Sequence, residues 1–158
     1  MKTSPFVLLT ALAVSAGFVS AADARQVLPP SSTLTTVVDQ ALVLLGQPRQ
    51  PVVIFDPAQY DADRRAKLEA YEAFVFAKRP EIYLNRRGRA SAEALSGRPD
   101  GVYVVAAILA HELAHLQGKD EAGALEAEER CVYRFMKEGK IPVDVALAHL
   151  QSAWRLRR

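Results

Sequence analysis

Several things are scarce in this 158-residue chain. It has one cysteine, Cys131, so no internal disulfide can form, and a lone thiol of this kind reads as a small core residue rather than a nucleophile. The net charge is only +2, too little to argue for nucleic acid as a partner. The basic tail Arg155-Leu156-Arg157-Arg158 reads as a solvated helix end, favoured by the helix dipole. There is no internal repeat and no low-complexity tract, which excludes solenoids and disordered arrays. The apolar run at residues 5–19 is shorter than the roughly 20 residues a membrane helix needs.

That run has another meaning. Lys2 precedes it, and the small residues Ser20-Ala21-Ala22-Asp23-Ala24 follow it. Both Ser20-x-Ala22 and Ala22-x-Ala24 suit a signal peptidase. Residues 1–24 therefore read as a secretory signal peptide, with an uncleaved anchor as the alternative, and the mature chain is expected in the periplasm or outside the cell. No cysteine stands at the cleavage point, which argues against a lipoprotein. Residues 25–32, with Pro29-Pro30-Ser31-Ser32, form a linker ending in a helix cap, and residues 33–158 make one domain.

Periodicity gives its elements. Leu34, Val37, Val38, Ala41 and Leu45 recur at helical spacing and predict a first helix to about Gly46. Val52-Val53-Ile54-Phe55, between Pro51 and Asp56-Pro57, reads as a buried strand. Residues 61–70 read as a charged helix, and residues 71–77 either extend it or alternate as a strand through Phe74 and Phe76. Pro80 ends either choice. Residues 81–85 read as another strand, and residues 89–99 as a loop with one helical turn at 90–95. Asp100 is placed to cap a helix from near Val102 to near Gln117, stopped by Gly118. Asp120 caps the next helix, stopped by Gly139, and Pro142 opens the last, whose apolar stripe is Val143, Leu147, Leu150 and Trp154. His149 falls off that stripe.

The chemistry is concentrated in the helix before Gly118. It carries His111-Glu112-x-x-His115 inside an uncharged run, Val104-Val105-Ala106-Ala107-Ile108-Leu109 before it and Leu113-Ala114 within it. Residues four apart lie on one face of a helix, so His111 and His115 can aim two imidazoles at one point. Unpaired, two histidines and a glutamate in a buried helix would be costly. A Zn²⁺ held by two histidines and a carboxylate satisfies all three and keeps an open position for water, with Glu112 placed to act as general base.

A third ligand is expected from the following helix. Leu125, Glu128, Val132 and Phe135 share one face, which puts Glu128 on the buried side and makes it the first candidate. Glu129 and Glu126 are the alternatives, with His149 as the remaining histidine. For the oxyanion donor of a hydrolase, Tyr83, Tyr103, Tyr133 and His149 are candidates and none is singled out.

Ala110-His111-Glu112-Leu113-Ala114-His115-Leu116, followed by a helix with Glu128-x-x-Cys131-Val132, resembles the zincin metallopeptidases. With a glutamate as third ligand it is similar to their gluzincin branch, to which thermolysin belongs, in a small single-domain version. The resemblance covers about residues 108–135. It implies an α+β, zincin-like fold: a small, mostly antiparallel sheet packed on the H-E-x-x-H helix and the following glutamate-bearing helix, with residues 81–85 as the edge strand lining the substrate. It implies His111, His115 and Glu128 as zinc ligands, Glu112 as the catalytic base, and a peptide or protein substrate. Two departures stand out. Gluzincins commonly place an acidic or amide residue four after the ligand glutamate, where this chain has Val132, and the spacer from His115 to Glu128 is short. The peptide deformylase motif shares His111-Glu112-x-x-His115-Leu116-x-Gly118, but its upstream cysteine and glycine-rich motifs have no counterpart here. The expected function is zinc-dependent peptide hydrolysis in an exported protein with no stable membrane insertion after signal cleavage. The alternative is a zinc-binding module without turnover, against which the intact Glu112 argues.

Overall fold

The computed structural model describes residues 32–155, with side chains at residues 33–153. The proposed signal peptide, nearly all of the linker, the Trp154 side chain and most of the basic tail lie outside the described residues. The fold is α+β: helix α1 (Ser32–Leu44), strand β1 (Val52–Phe55), helix α2 (Ala62–Glu69), strands β2 (Ala73–Val75) and β3 (Ile82–Asn85), then helices α3 (Arg89–Leu95), α4 (Gly101–Leu116), α5 (Glu121–Lys137) and α6 (Val143–Arg155).

The strands form one sheet in the order β1-β3-β2. β1 runs parallel to β3, pairing Val52 with Ile82, and β2 runs antiparallel to it, pairing Phe74 with Tyr83. Two expectations are corrected here. The sheet is mixed rather than mostly antiparallel, because the chain crosses over through α2 and β2 before β3 is laid beside β1. β3 is the central strand and not a substrate-lining edge. All four of its residues are buried, since both faces of the sheet are covered. Ile82 and Leu84 join the helical core with Ile54 and Val105. Tyr83 stacks on Phe74, centroids 5.3 Å apart, within a second cluster of Phe55, Tyr60 and Leu68. Continuous burial of a central strand explains the apolar run Ile82-Tyr83-Leu84, and the buried Asn85 that ends it donates its amide to the Tyr71 carbonyl at 2.9 Å.

Helix α4 runs through the middle of the domain, packed against α1, α3 and α5. Val104, Val105, Ala106, Ala107 and Leu109 are each at most 2 % exposed. It starts against α3: a Cβ at Gly101 would lie 2.6 Å from the Ala94 Cα, so only glycine fits. Asp100 does not cap it by its side chain. Arg98 takes that carboxylate instead, at 2.7 and 3.0 Å, a charge-assisted pair that outcompetes a backbone N–H.

The region expected as a loop with one turn is the seven-residue helix α3. Its N-terminus is satisfied from a distance. The Glu72 carboxylate accepts from the backbone N–H groups of Arg89 at 2.9 Å and Ala90 at 3.0 Å, which supplies a carboxylate where the helix dipole favours one.

Helix α5 begins as expected, with the Asp120 side chain accepting from Gly123 N–H at 2.9 Å. Its buried face contains Leu125, Glu128, Cys131, Val132 and Phe135. Helix α6 is rotated from the expected phase. Ala146, His149, Leu150 and Ala153 are buried, while Val143 is 60 % and Leu147 46 % exposed. Two alanines allow α6 to sit close to its neighbours, and the buried 2.7 Å hydrogen bond between His149 and Glu128 ties this side inward. A stripe counted from large apolar side chains misses both effects.

Candidate metal centre

One helical turn separates His111 from His115, and their Nε2 atoms lie 3.1 Å apart. The opposite ring nitrogens are held from outside. His111 Nδ1 is 3.0 Å from Glu128 Oε2. His115 Nδ1 is 3.1 Å from the Lys119 carbonyl oxygen. A carbonyl accepts only, and an ionised carboxylate accepts only, so both Nδ1 atoms donate. Each Nε2 is then left with a lone pair, and the two lone pairs meet at one point. They can coexist at that distance only with a proton on one ring or a cation between them.

Glu121, the first residue of α5, closes the site. Its Oε1 lies 3.6 Å from His111 Nε2 and its Oε2 lies 3.3 Å from His115 Nε2. Donors held at about 2.0–2.1 Å in a tetrahedron are roughly 3.3 Å from one another. Among the described residues, His111, His115 and Glu121 are the group whose donor atoms all fall within 4.8 Å of each other. Two imidazole nitrogens and one carboxylate suit a borderline divalent cation.

Of the expected site residues, the structure brings His111, Glu112, His115 and Glu128 into one locality but places Glu128 differently from expectation. Glu128 is buried, 4 % exposed, yet it meets the Nδ1 side of His111, not the point where the Nε2 atoms converge. That is the place of an outer carboxylate, which orients a ligating histidine. The reason is the path of the chain. α5 starts beside the histidines and runs away from them, so its first residue, not one two turns in, reaches the Nε2 atoms. Glu126 is exposed and paired with Arg130 on the outer face, and Glu129 is half-buried.

Glu121 was not among the residues expected at this point, although its spacing is suggestive. Gly118 stands three residues after His115, and Glu121 three after that, the spacing at which a helix ends, turns and returns a third ligand. Gly118 has φ +82°, and the Lys119 N–H donates to the Ala114 carbonyl at 3.0 Å. This left-handed turn sends the chain back over the helix end.

Glu112 is 6 % exposed, and its carboxylate has no hydrogen-bond partner among the described residues. Burial disfavours its charge; His111 opposes that effect and Glu121 and Glu128 reinforce it, leaving the carboxyl pushed up to about 7. Burial would also raise Glu128, but hydrogen bonds from His111 and His149 outweigh it and hold that carboxyl at about 2. Two carboxylates in one site are thus driven apart, one poised to exchange a proton near neutrality and one permanently charged. His111 is pushed above its ordinary value: burial opposes, and the carboxylates of Glu128, Glu112 and Glu121 prevail.

A cleft of about 470 Å³ opens beside His115 and Leu116, walled by residues 75–80 and Gln50. Lys78 in that wall has φ +66°, the one left-handed non-glycine residue among those described. Tyr83 is packed into the aromatic cluster and Tyr103 against Phe135 at 4.9 Å, and Tyr133 is 40 % exposed. Cys131 is buried and free, as a core thiol should be. No described helix is long and apolar enough to cross a membrane. Searches of family models, curated proteins and solved structures find no match for the chain.

Proposed function

We propose that this protein is an exported, zinc-dependent metallopeptidase with a zincin-like fold. The observation that carries the reading is the meeting of two Nε2 lone pairs and an acidic side chain at one point, beside a buried carboxylate raised to about 7. A structural cation site has no use for such a base. His111, His115 and Glu121 are the proposed ligands, and Glu128 the outer carboxylate. Bound there, zinc would supply a Lewis acid for a peptide carbonyl and make water acidic enough to attack near neutral pH.

Glu112 does the proton work. It accepts a proton from the attacking water and returns it to the leaving amine. Glu128 keeps His111 in the tautomer that presents Nε2, and the Lys119 carbonyl does the same for His115. An extended peptide has a place to lie in the cleft along residues 75–80, where β2 is a sheet edge next to His115. Export rests on the signal-like residues 1–24.

The test is metal analysis and cleavage of an unfolded protein substrate by wild type, Glu112→Gln and Glu121→Ala. Wild type is expected to hold one zinc and cleave. Glu112→Gln should keep the zinc and lose cleavage by at least about 100-fold. Glu121→Ala should lose zinc while remaining folded, because its side chain is 65 % exposed. A folded wild type that binds no zinc refutes the proposal. Zinc without cleavage in any form would leave a binding module.

A further inference from the structure

Behind the site runs a chain of polar contacts that neither metal binding nor proton transfer strictly requires. Glu128 Oε2 meets His111. Its other oxygen, Oε1, is 2.7 Å from His149 Nε2. His149 Nδ1 is in turn 3.3 Å from Arg89 Nη2. Four helices each contribute one residue: α4, α5, α6 and α3. The direction of every hydrogen bond is fixed from the outside. A guanidinium can only donate, so Nδ1 of His149 accepts and its Nε2 carries the hydrogen toward Glu128. Glu128 then accepts from both sides, and His111 is left with its Nε2 lone pair at the site.

Burial makes this arrangement costly. His149 is 3 % and Glu128 4 % exposed. Replacing both partners of a buried hydrogen bond with apolar groups of the same shape can be nearly neutral or stabilising. The position in α6 could thus be leucine, as its neighbour Leu150 is. Packing alone does not account for a histidine whose two ring nitrogens are both engaged.

We infer that His149, steered by Arg89, is a positioning residue for the metal centre: it holds Glu128 in the one orientation that keeps the His111 Nε2 lone pair pointed at the site. The inference rests on the metal-site reading above and deepens it. The last helix thereby becomes part of the site although it supplies no ligand. Outer partners of ligating histidines are worth about 10–100-fold in metal affinity. The carbonyl that holds His115 is a neighbour in sequence. The partner of His111 is itself held only through the α5–α6 packing.

The experiment uses the full chain, freed of metal with a chelator and titrated with Co²⁺, whose visible spectrum reports the coordination geometry. His149→Leu should remain folded by circular dichroism, bind Co²⁺ about 10–100-fold more weakly and show an altered absorption band. His149→Gln, which keeps a side-chain N–H donor, should recover much of both. Unchanged affinity and spectrum in His149→Leu would overturn the relay while leaving the three ligands in place. A folded wild type that takes up no Co²⁺ would overturn the metal site and the relay together. Should His149→Leu not fold, Arg89→Met carries the test from the outer end. A weaker site with a shifted band is then expected, and wild-type behaviour would overturn the relay.

Discussion

Replacing Glu112 by glutamine should shift the stability of the metal-free protein progressively in the variant's favour as the pH rises. The side chain is 6 % exposed, and burial raises its pKa from 4.5 to about 7. The sign follows from proton counts. Between those two values the folded chain holds a proton that the unfolded chain has released, so stability falls as pH rises through this window. At about 1.36 kcal/mol per pH unit, the charged carboxylate costs the folded state about 3 kcal/mol once the pH exceeds both values. Glutamine has nearly the same shape and no charge. It leaves a buried amide to be satisfied, which costs about 1–3 kcal/mol, but that penalty does not change with pH. The difference between variant and wild type therefore isolates the charge. Worked through the linkage relation, it should widen in favour of Glu112→Gln by about 2.5 kcal/mol between roughly pH 5 and pH 8. Urea unfolding of the chelator-treated proteins, followed by circular dichroism at both pH values, reads this directly. A difference that stays constant with pH, or narrows, would refute the claim that Glu112 is a buried, poorly compensated base.

Glu128 should behave in the opposite way. Its folded pKa of about 2 lies below the ordinary 4.5, so its stabilisation is present above the higher value and lost as the pH falls through the lower. Glu128→Gln should destabilise the metal-free protein by about 2–3 kcal/mol near neutrality, and acid titration of both proteins should bring them together toward about pH 2. Gly118→Ala should cost about 1–2 kcal/mol. Open space surrounds the position, but φ is +82°, so the penalty is conformational; because this turn delivers Glu121, zinc affinity measured against a chelator should fall with it. Burial pushes the Cys131 thiol up to about 11, so a thiol reagent at about pH 8 should label it only as fast as the protein unfolds, and rapid labelling of the native chain would contradict its place in the core.

The two histidines and Glu112 were legible because their geometry is local. One helical turn relates them, and a helix with an uncharged run such as Val104 to Ala110 has to be central in a domain of this size. Strand β1 was legible for a similar reason: proline brackets it, and four successive β-branched or aromatic residues leave little choice. The face of α5 that buries Glu128 also follows from simple helical counting. The role of Glu128 did not, because a helix wheel tells which side is buried and not which atom is met there.

What only the tertiary structure decided lies between elements distant in sequence. Glu72 caps α3 from 17 residues away, and no propensity records that. β3 became the central strand because a crossover laid β1 beside it. α6 turns His149 inward to a hydrogen bond with Glu128 on α5, and leaves Val143 and Leu147 exposed. Glu121 came to the histidines because Gly118 takes, without strain, the left-handed turn that folds α5 back over the end of α4. Spacing along one helix fixes where donors point; which partners meet them is set by how separate helices pack, and that energy belongs to no single stretch of the chain.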